Sequence, residues 1–320
     1  MASSQSVLKG FSNSGRARND QAEPPPLNRA AARMMAAAAG LLHQPSLRSP
    51  KMRVGLGIVG FFLLMALVGP LLVHHDPTAF SADQLQGPSA AHWLGTTQTG
   101  QDIFAQVVLG ARATLLVGFA TGVMATTLSV LIGLTAGYFG GVADDLLSLL
   151  INIFLVMPAL PLMIVLAGYV PVHGPLPVAL VISFTGWSWG ARVLRSQTLS
   201  LRRREFVEAS RASGEHWYRI IFWEILPNET AIVASSLVFT IIFAILAEIG
   251  LEFLGLSDVT LNSWGNMLYW ASNNNALLVG AWWWFLPPGL CIAVLGAGLA
   301  FINSGIDEIT NPRLRAAGSA

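Results

Sequence analysis

Six long apolar blocks constrain the fold of this chain more than any other feature. Each block can cross a hydrocarbon core of about 30 Å, which takes about 20 helical residues. Because a backbone in lipid must satisfy its own hydrogen bonds, such blocks fold as helices. The predicted spans are residues 54–73, 113–139, 146–170, 176–194, 229–256 and 279–303. The sequence therefore predicts an all-α polytopic membrane protein with six transmembrane helices.

Composition excludes several classes of function. Hydrophobic residues make up 53% of the 320 residues and charged residues only 11%, against roughly 25% charged residues in soluble domains. The lysines are Lys9 and Lys51, and no G-x-x-x-x-G-K-[ST] phosphate loop is present. The pair of histidines in His74-His75-Asp76 lacks a third ligand at suitable spacing, so it is interpreted as solvated. The sequence therefore predicts no catalytic, cofactor-binding or metal site, and the chain is not expected to be an enzyme.

The segment that precedes the first apolar block is predicted to be a disordered cytoplasmic tail. Residues 1–53 are rich in Ser, Ala, Pro and Arg and show no sustained apolar periodicity. The first apolar block starts only at Val54, so no signal peptide is expected. Three further segments are predicted: 54–112 with the first transmembrane helix and an outer loop, 113–315 as the core with the cytoplasmic loop 195–227, and 316–320 as a C-terminal tail.

The distribution of basic residues predicts the orientation in the membrane. Segments 74–111 and 257–278 contain no lysine or arginine, whereas the segment before Val54 and the loop 195–227 are rich in them. Basic loops stay in the cytoplasm. With six spans, both termini are therefore predicted to be cytoplasmic.

Two prolines are expected to bend the third span. Pro158 and Pro161 lack the backbone N–H that continues a helix, so a kink is predicted within 146–170. The carbonyl groups that this kink frees need partners, which favours a helix that packs against protein rather than lipid.

The cytoplasmic loop 195–227 carries the clearest local pattern. After the basic run Arg202-Arg203-Arg204, the spacing of Phe206, Ala209, Ala212 and Ser213 indicates a helix with one small, apolar face. Gly214 is placed to end that helix in a left-handed conformation. A second helix is predicted from Glu215 to Phe222, ending ahead of Pro227 because a residue before proline avoids the helical region.

This loop resembles a known family. Glu208-Ala209-Ser210, then Gly214, then Ile225-Leu226-Pro227, is similar to the E-A-A-x-x-x-G loop of binding-protein-dependent ABC importer permeases. The resemblance implies a coupling helix that sits in a groove on an ATPase subunit. A structureless basic loop is the alternative. The residues assigned to coupling are Arg203, Glu205, Phe206, Glu208, Ala209, Ser210, Ala212, Gly214, Leu226 and Pro227.

Further motifs resemble the C-type permease of the dipeptide, oligopeptide and nickel group. They include His92-Trp93-Leu94-Gly95-Thr96, Gly100-Gln101-Asp102-Ile103-Phe104, and Gly137-Tyr138-Phe139-Gly140-Gly141 followed by Asp144 or Asp145. The chain departs from the group's pattern at Thr97 and Gln101, where Asp and Arg are usual, so rules for the solute transfer poorly.

The resemblance implies a fold, partners and a location. The fold is that of a type I ABC importer permease in a bacterial cell membrane. The implied partners are a second permease subunit, two ATP-binding subunits that hold the ATP and Mg²⁺, and an extracytoplasmic substrate-binding protein. A short peptide or similar small solute and membrane lipid are the other expected contacts, and nucleic acid is not expected.

Two acids in the fifth span have two interpretations. Glu248 and Glu252 lie four residues apart and therefore on one helix face. Acids within a span often face an aqueous pathway, which predicts that both line the path of a cationic solute. The alternative is structural, with Glu252 hydrated near the outer end and Glu248 capping or pairing. Together with Pro158 and Pro161, these acids also leave open an ion-coupled secondary transporter.

The tryptophan run Trp282-Trp283-Trp284 likewise has two interpretations. An aromatic belt at the outer membrane interface is one, and a ligand cage is the other.

Overall fold

A computed structural model describes residues 49–73, 76–169 and 174–310. Most of the predicted tail 1–53, the segment 316–320 and the pair His74-His75 lie outside these residues. The described chain contains helices and one isolated antiparallel bridge, between Thr96 and Asp102. The helices are α1 Pro50–Leu72, α2 Ile103–Phe139, α3 Gly141–Val156, α4 Ala159–Tyr169, α5 Pro175–Leu201, α6 Glu205–Ala212, α7 Trp217–Arg219, a π-helix Ile220–Ile225, α8 Leu226–Phe253, α9 Trp264–Asn273 and α10 Trp282–Thr310.

The number of membrane-spanning helices agrees approximately with the prediction. Four helical stretches in the described chain are long and apolar enough to cross a membrane, and a fifth joins them if the bent pair of α3 and α4 is one span. The remaining candidate, α5, has 27 residues. It is less apolar because its buried face carries hydroxyl groups, among them those of Ser183, Thr185 and Ser188.

The third predicted span is not one kinked helix. α3 starts earlier than predicted, at Gly141, and the chain turns by 92° between α3 and α4. Met157 is extended because it precedes Pro158, and a residue before proline is pushed out of the helical region. The bend that the prolines predict is therefore a complete break.

Helices α2, α5 and α8 pack closely at the centre of the bundle, as the small residues in their sequences require. A Cβ added to Gly133 of α2 would lie 2.6 Å from the carbonyl oxygen of Ala191 on α5. Only glycine permits that approach. Gly133 thus allows α2 and α5 to lie in close contact.

One end of the bundle brings together the two segments that the charge pattern assigns to the outside. The indole N–H of the fully buried Trp264 donates to the Val107 carbonyl oxygen (2.9 Å), and the Asn262 amide donates to the Gln106 carbonyl oxygen (3.2 Å). The helix α9 within segment 257–278 is not predicted from the sequence. Its first turn packs on the first turns of α2.

Candidate functional site

The predicted coupling helix exists and is fixed to the bundle by one buried side chain. Val207 of α6 is fully buried in the inner cluster, a group of apolar residues near the C-terminal ends of α2 and α5 and in the π-helix. The inner cluster consists of Leu134, Tyr138, Leu194, Val207, Ile220, Ile221 and Ile225. Sequence analysis missed Val207 because the apolar periodicity it used runs through the neighbouring Phe206.

The rest of α6 presents a free face. Most of the predicted coupling residues are exposed, and Phe206 keeps 37% of its surface accessible. Exposed residues of the predicted set are Arg203, Glu205, Phe206, Glu208, Ala209, Ala212 and Gly214. Ser210 is half-buried, and its hydroxyl donates to the Phe206 carbonyl oxygen (3.0 Å). Leu226 and Pro227 are half-buried and lie outside α6.

Two arginines fasten the loop to the end of α2. The guanidinium of Arg211 lies over the Tyr138 ring, 4.6 Å from its centroid, and its Nε donates to the Tyr138 hydroxyl (3.4 Å). Arg202 donates to the Gly137 carbonyl oxygen (3.2 Å). From the sequence, these arginines are expected only to add positive charge to the loop. In the structure they connect the loop to Gly137 and Tyr138 at the end of α2.

Gly214 ends α6 as predicted. Its φ is +75°, a left-handed conformation that side chains rarely adopt. The N–H of Gly214 donates to the Arg211 carbonyl oxygen (3.0 Å) and that of Glu215 to the Ser210 carbonyl oxygen (3.2 Å). These bonds satisfy carbonyl groups that the end of a helix leaves free.

The prediction that Pro227 ends a helix is wrong. The chain is helical without interruption from Trp217 to Phe253, and Pro227 lies in the first turn of α8. The N–H of Leu226 donates to the Ile221 carbonyl oxygen, five residues back, which is the pattern of a π-helix. Because proline is tolerated at the start of a helix, the wider turn passes directly into α8. A continuous helix therefore joins the loop that contains α6 to α8.

One ion pair and one hydrogen bond connect the neighbouring helices at this end of the bundle. The Arg195 guanidinium on α5 donates through Nε to Asp144 Oδ1 (2.5 Å) and through Nη2 to Asp144 Oδ2 (2.8 Å). Of the two acids that follow the motif, Asp144 thus binds α5, while Asp145 is exposed. The Thr198 hydroxyl, also on α5, donates to Glu229 Oε1 in the first turn of α8 (2.9 Å).

Two residues of the family-like motifs, His92 and Asp102, cap the start of α2. Asp102 Oδ1 accepts from the N–H of Ala105, and Asp102 Oδ2 accepts from His92 Nδ1 (2.8 Å). The hydrogen bond to Asp102 raises the pKa of His92 above its ordinary value, with a smaller contribution from Asp83, whose carboxylate lies 3.6 Å from Nε2. These motif residues thus form a structural cap at the start of α2.

The two acids of the fifth predicted span are buried within the chain. Glu248 is 1% exposed and Glu252 is 4% exposed, so Glu252 is not hydrated here as the structural alternative supposes. A Cβ on Gly265 would collide with the Glu252 carboxylate, which places this acid under the first turn of α9. Neither acid lines any of four cavities in the described chain. The pathway role of both acids stays a prediction.

The described residues contain no group of three His, Cys, Asp or Glu side chains arranged to hold a metal ion. What α6 offers chemically is an exposed, partly charged face.

Comparisons with known proteins match this arrangement to a family. The sequence profile of the binding-protein-dependent transport system inner membrane component matches residues 129–316, and that of the N-terminal TM domain of oligopeptide transport permease C matches residues 47–88.

Curated relatives span most of the chain. A dipeptide transport system permease protein, DppC, of Alkalihalophilus pseudofirmus is 37% identical over 268 residues, which are 82% of this chain and 86% of the relative. The oligopeptide transport system permease protein OppC of Bacillus subtilis is 31% identical over 267 residues, which are 82% of this chain and 85% of the relative. The DppC of the same organism is 34% identical over 264 residues, which are 82% of this chain and 81% of the relative.

Proposed function

Because the chain belongs to the family of binding-protein-dependent transport system inner membrane components, we propose that it couples ATP hydrolysis by partner subunits to the import of short peptides. The chain is a multi-pass membrane permease and not an enzyme. It is of the C type found in dipeptide and oligopeptide systems. The exposed face of α6 is the single observation that carries the coupling proposal.

The mechanism follows from how α6 is mounted. Its exposed face is free to dock in a groove on an ATP-binding subunit, while Val207 fixes its other face to the inner cluster. The inner cluster contains the ends of α2 and α5, and the π-helix continues into α8. A movement of the ATP-binding subunits therefore reaches three spans together. Docking shifts the bundle between two arrangements by binding one of them better.

The partners divide the chemistry among them. Two ATP-binding subunits hold the ATP and Mg²⁺, an extracytoplasmic binding protein delivers the solute, and a second permease subunit completes the pathway. This chain supplies the docking face and one half of the transmembrane pathway. The names of the relatives support peptides as the solute.

The proposed orientation places both termini and α6 in the cytoplasm. In a variant with Cys291 replaced by serine, a cysteine at Ser89 or Asn274 should react with a membrane-impermeant maleimide from outside, and one at Ser213 should not. Ser89 is exposed and Asn274 is half-buried in the described chain. Reaction at Ser213 from outside would invert the orientation.

One reconstitution tests the coupling proposal. The chain is purified with the subunits that accompany it and reconstituted in proteoliposomes that enclose ATP. A labelled peptide is added to the outside. Uptake should require ATP hydrolysis and should persist when a protonophore dissipates the ion gradient. Uptake that follows the ion gradient without an ATPase would instead support an ion-coupled transporter.

A further inference from the structure

An apolar groove lies between α1 and α10 and shares no residue with α6 or the inner cluster. Its volume is about 560 Å³, within the range of pockets that bind small ligands. Its wall carries no charged side chain. One face of α1 forms most of this wall, and α10 supplies Leu290, Cys291 and Val294. The wall residues on α1 are Val54, Gly57, Ile58, Phe61, Phe62 and Met65.

The groove has the length of one membrane leaflet. Its wall on α1 runs from Val54 to Met65, which is about 16 Å along a helix. Half of a hydrocarbon core of about 30 Å is about 15 Å. Because α1 begins at Pro50, the groove starts near one surface of the membrane and ends near its middle. An acyl chain that enters at Val54 can therefore lie along the whole groove.

The two ends of the groove differ in character. Lys51 Nζ at the start of α1 lies 3.6 Å from Glu308 Oε1 near the end of α10, so the two helices run antiparallel. The wall residues of α10 lie well before Glu308 in the chain and therefore meet the deeper part of α1. The shallow end of the groove thus lies beside charged residues, and the deep end lies among apolar ones.

Two basic residues stand at the shallow end of the groove. Lys51 and Arg53 lie in the first turn of α1, and both are exposed. Arg53 precedes Gly57 by four positions and therefore lies on the helix face that forms the wall. The Arg53 side chain makes no hydrogen bond or ion pair with the residues that the structure describes. Long basic side chains near the end of a span reach the level of the lipid headgroups.

We propose that the groove between α1 and α10 binds an anionic phospholipid, with the phosphate on Arg53 and Lys51 and one acyl chain along the apolar wall. Basic residues near the membrane surface attract anionic headgroups, and the planar guanidinium of arginine fits a phosphate. A zwitterionic phospholipid offers the same phosphate, but its own positive group offsets the attraction. The proposed orientation, in which α1 starts in the cytoplasm, places this lipid in the inner leaflet.

The groove fits a lipid better than it fits a helix of a partner subunit. A Cβ added to Gly57 would meet no atom within 4 Å, so the wall is open at this position and suits a flexible chain. A partner helix would also have to bring an acidic side chain to Arg53. Phospholipids carry their phosphate at that level already.

Native mass spectrometry of the assembled importer, titrated with lipid, tests the proposal. The probes are palmitoyl-oleoyl phosphatidylglycerol, which is anionic, and palmitoyl-oleoyl phosphatidylcholine, which has the same acyl chains and no net charge. Lipid that stays on this chain after its release from the assembly is counted. The anionic probe should bind at least about fivefold more tightly, which is the contribution of one basic residue near the membrane surface. Equal binding of the two probes would overturn the proposal.

A charge variant tests the headgroup end. Arg53→Gln should weaken binding of the anionic probe about fivefold and leave binding of the zwitterionic probe nearly unchanged. Arg204→Gln is the matched control, because Arg204 is also an exposed arginine but precedes α6, away from the groove. An equal loss in the two variants would show that net charge rather than this site attracts the lipid, which would contradict the assignment.

A second pair of variants tests the acyl-chain end. Gly57 lines the groove and Gly60 of the same helix does not, and a Cβ added to either would meet no atom within 4 Å. Both Gly57→Leu and Gly60→Leu should therefore fold. Gly57→Leu fills the groove and should weaken binding of the anionic probe at least about fivefold, whereas Gly60→Leu should not change it. Unchanged binding in Gly57→Leu would show that no acyl chain lies in the groove.

Two further outcomes separate the alternatives. If the anionic probe binds to the purified chain but not to the same chain in the assembly, a partner subunit covers the groove and the assignment to lipid is wrong. Labelling that inverts the proposed orientation would overturn the assignment to the inner leaflet. Lipid binding is measured without transport, so a failure of ATP-dependent uptake would remove the proposed function and not this inference.

Discussion

The guanidinium of Arg211 lies 4.6 Å from the centre of the Tyr138 ring and joins the last turn of α6 to the last turn of α2. Val207 packs in the inner cluster between these two helices. α6 is therefore held at two points along its length, which a helix of eight residues needs because so short a helix is not stable alone. The predictions below test what this mounting does.

Gly214→Val should uncouple the permease while leaving its insertion intact. The left-handed φ of +75° at this position is strained for a β-branched residue, at a cost of about 1–3 kcal/mol. Open space surrounds the position, so backbone strain is the only cost. ATP hydrolysis stimulated by peptide should fall in the purified assembly. Gly214→Asn is the control, since Asn tolerates this conformation; an equal loss in both variants would point to a role other than the turn.

Val207 and Glu208 should separate support from docking. Val207→Ala removes buried apolar surface and should destabilise the attachment of α6 by about 1–3 kcal/mol. Glu208→Lys reverses an exposed charge and should leave the melting temperature of the isolated chain unchanged while weakening binding of the ATP-binding subunit. Melting curves and copurification measure the two effects. If Glu208→Lys also lowers the melting temperature, the free face of α6 is part of the core.

Asp144→Asn should destabilise the end of the bundle where α3 meets α5. The variant keeps one oxygen acceptor but loses the charge that accepts two bonds from Arg195, at a cost of about 1–3 kcal/mol. Asp145→Asn is the matched control because Asp145 is exposed and should have little effect on thermal stability. Destabilisation by both variants to the same extent would show that net charge, rather than the paired geometry, matters.

Local chemistry could be predicted from the sequence, but the meeting of distant segments could not. Gly214 was predictable because a left-handed helix end depends on a few neighbouring residues. A residue before proline is expected to avoid the helical region. This expectation holds at Met157, which is extended, and fails at Leu226, which is helical. The difference is caused by the π-helix ahead of Pro227. No short sequence pattern predicts this π-helix.

The support of α6 and the contact between α9 and α2 depend on which helix ends become neighbours. Val207 contacts residues of α2 and α5 that lie far away in sequence, and Trp264 reaches Val107 across 157 positions. A single sequence carries no signal for such pairs. This is why the motifs predicted the location of the coupling helix but not its anchor.

The outer cap should lose stability as the pH rises through the neutral range. Asp102 raises the pKa of His92 above its ordinary value of 6.5, so protonated His92 stabilises the fold. That contribution is complete below the unfolded value and disappears as the pH passes the higher folded value. Hydrogen exchange at residues 96–105, corrected for its intrinsic rate, should increase as the pH rises above about 6.5.

Two histidine variants check the source of this pH dependence. His92→Gln should remove it, because the side chain no longer titrates. His216→Gln, at an exposed position on the cytoplasmic side of the proposed topology, should retain it. A pH dependence that survives in His92→Gln would assign the effect to another group.

Glu248→Gln and Glu252→Gln should affect all solutes alike. Both carboxyl groups lie inside the chain, at 1% and 4% exposure, and Glu252 packs under the first turn of α9. Glutamine preserves the shape and removes the charge, so any loss of uptake should come from altered packing and should be the same for cationic and neutral peptides. Uptake of a lysine-containing peptide and of its norleucine analogue by proteoliposomes measures the ratio. A selective loss of the cationic peptide at unchanged expression and ATPase activity would instead support the prediction that these acids line the pathway, and it would require a conformation in which α8 turns this face toward the solute.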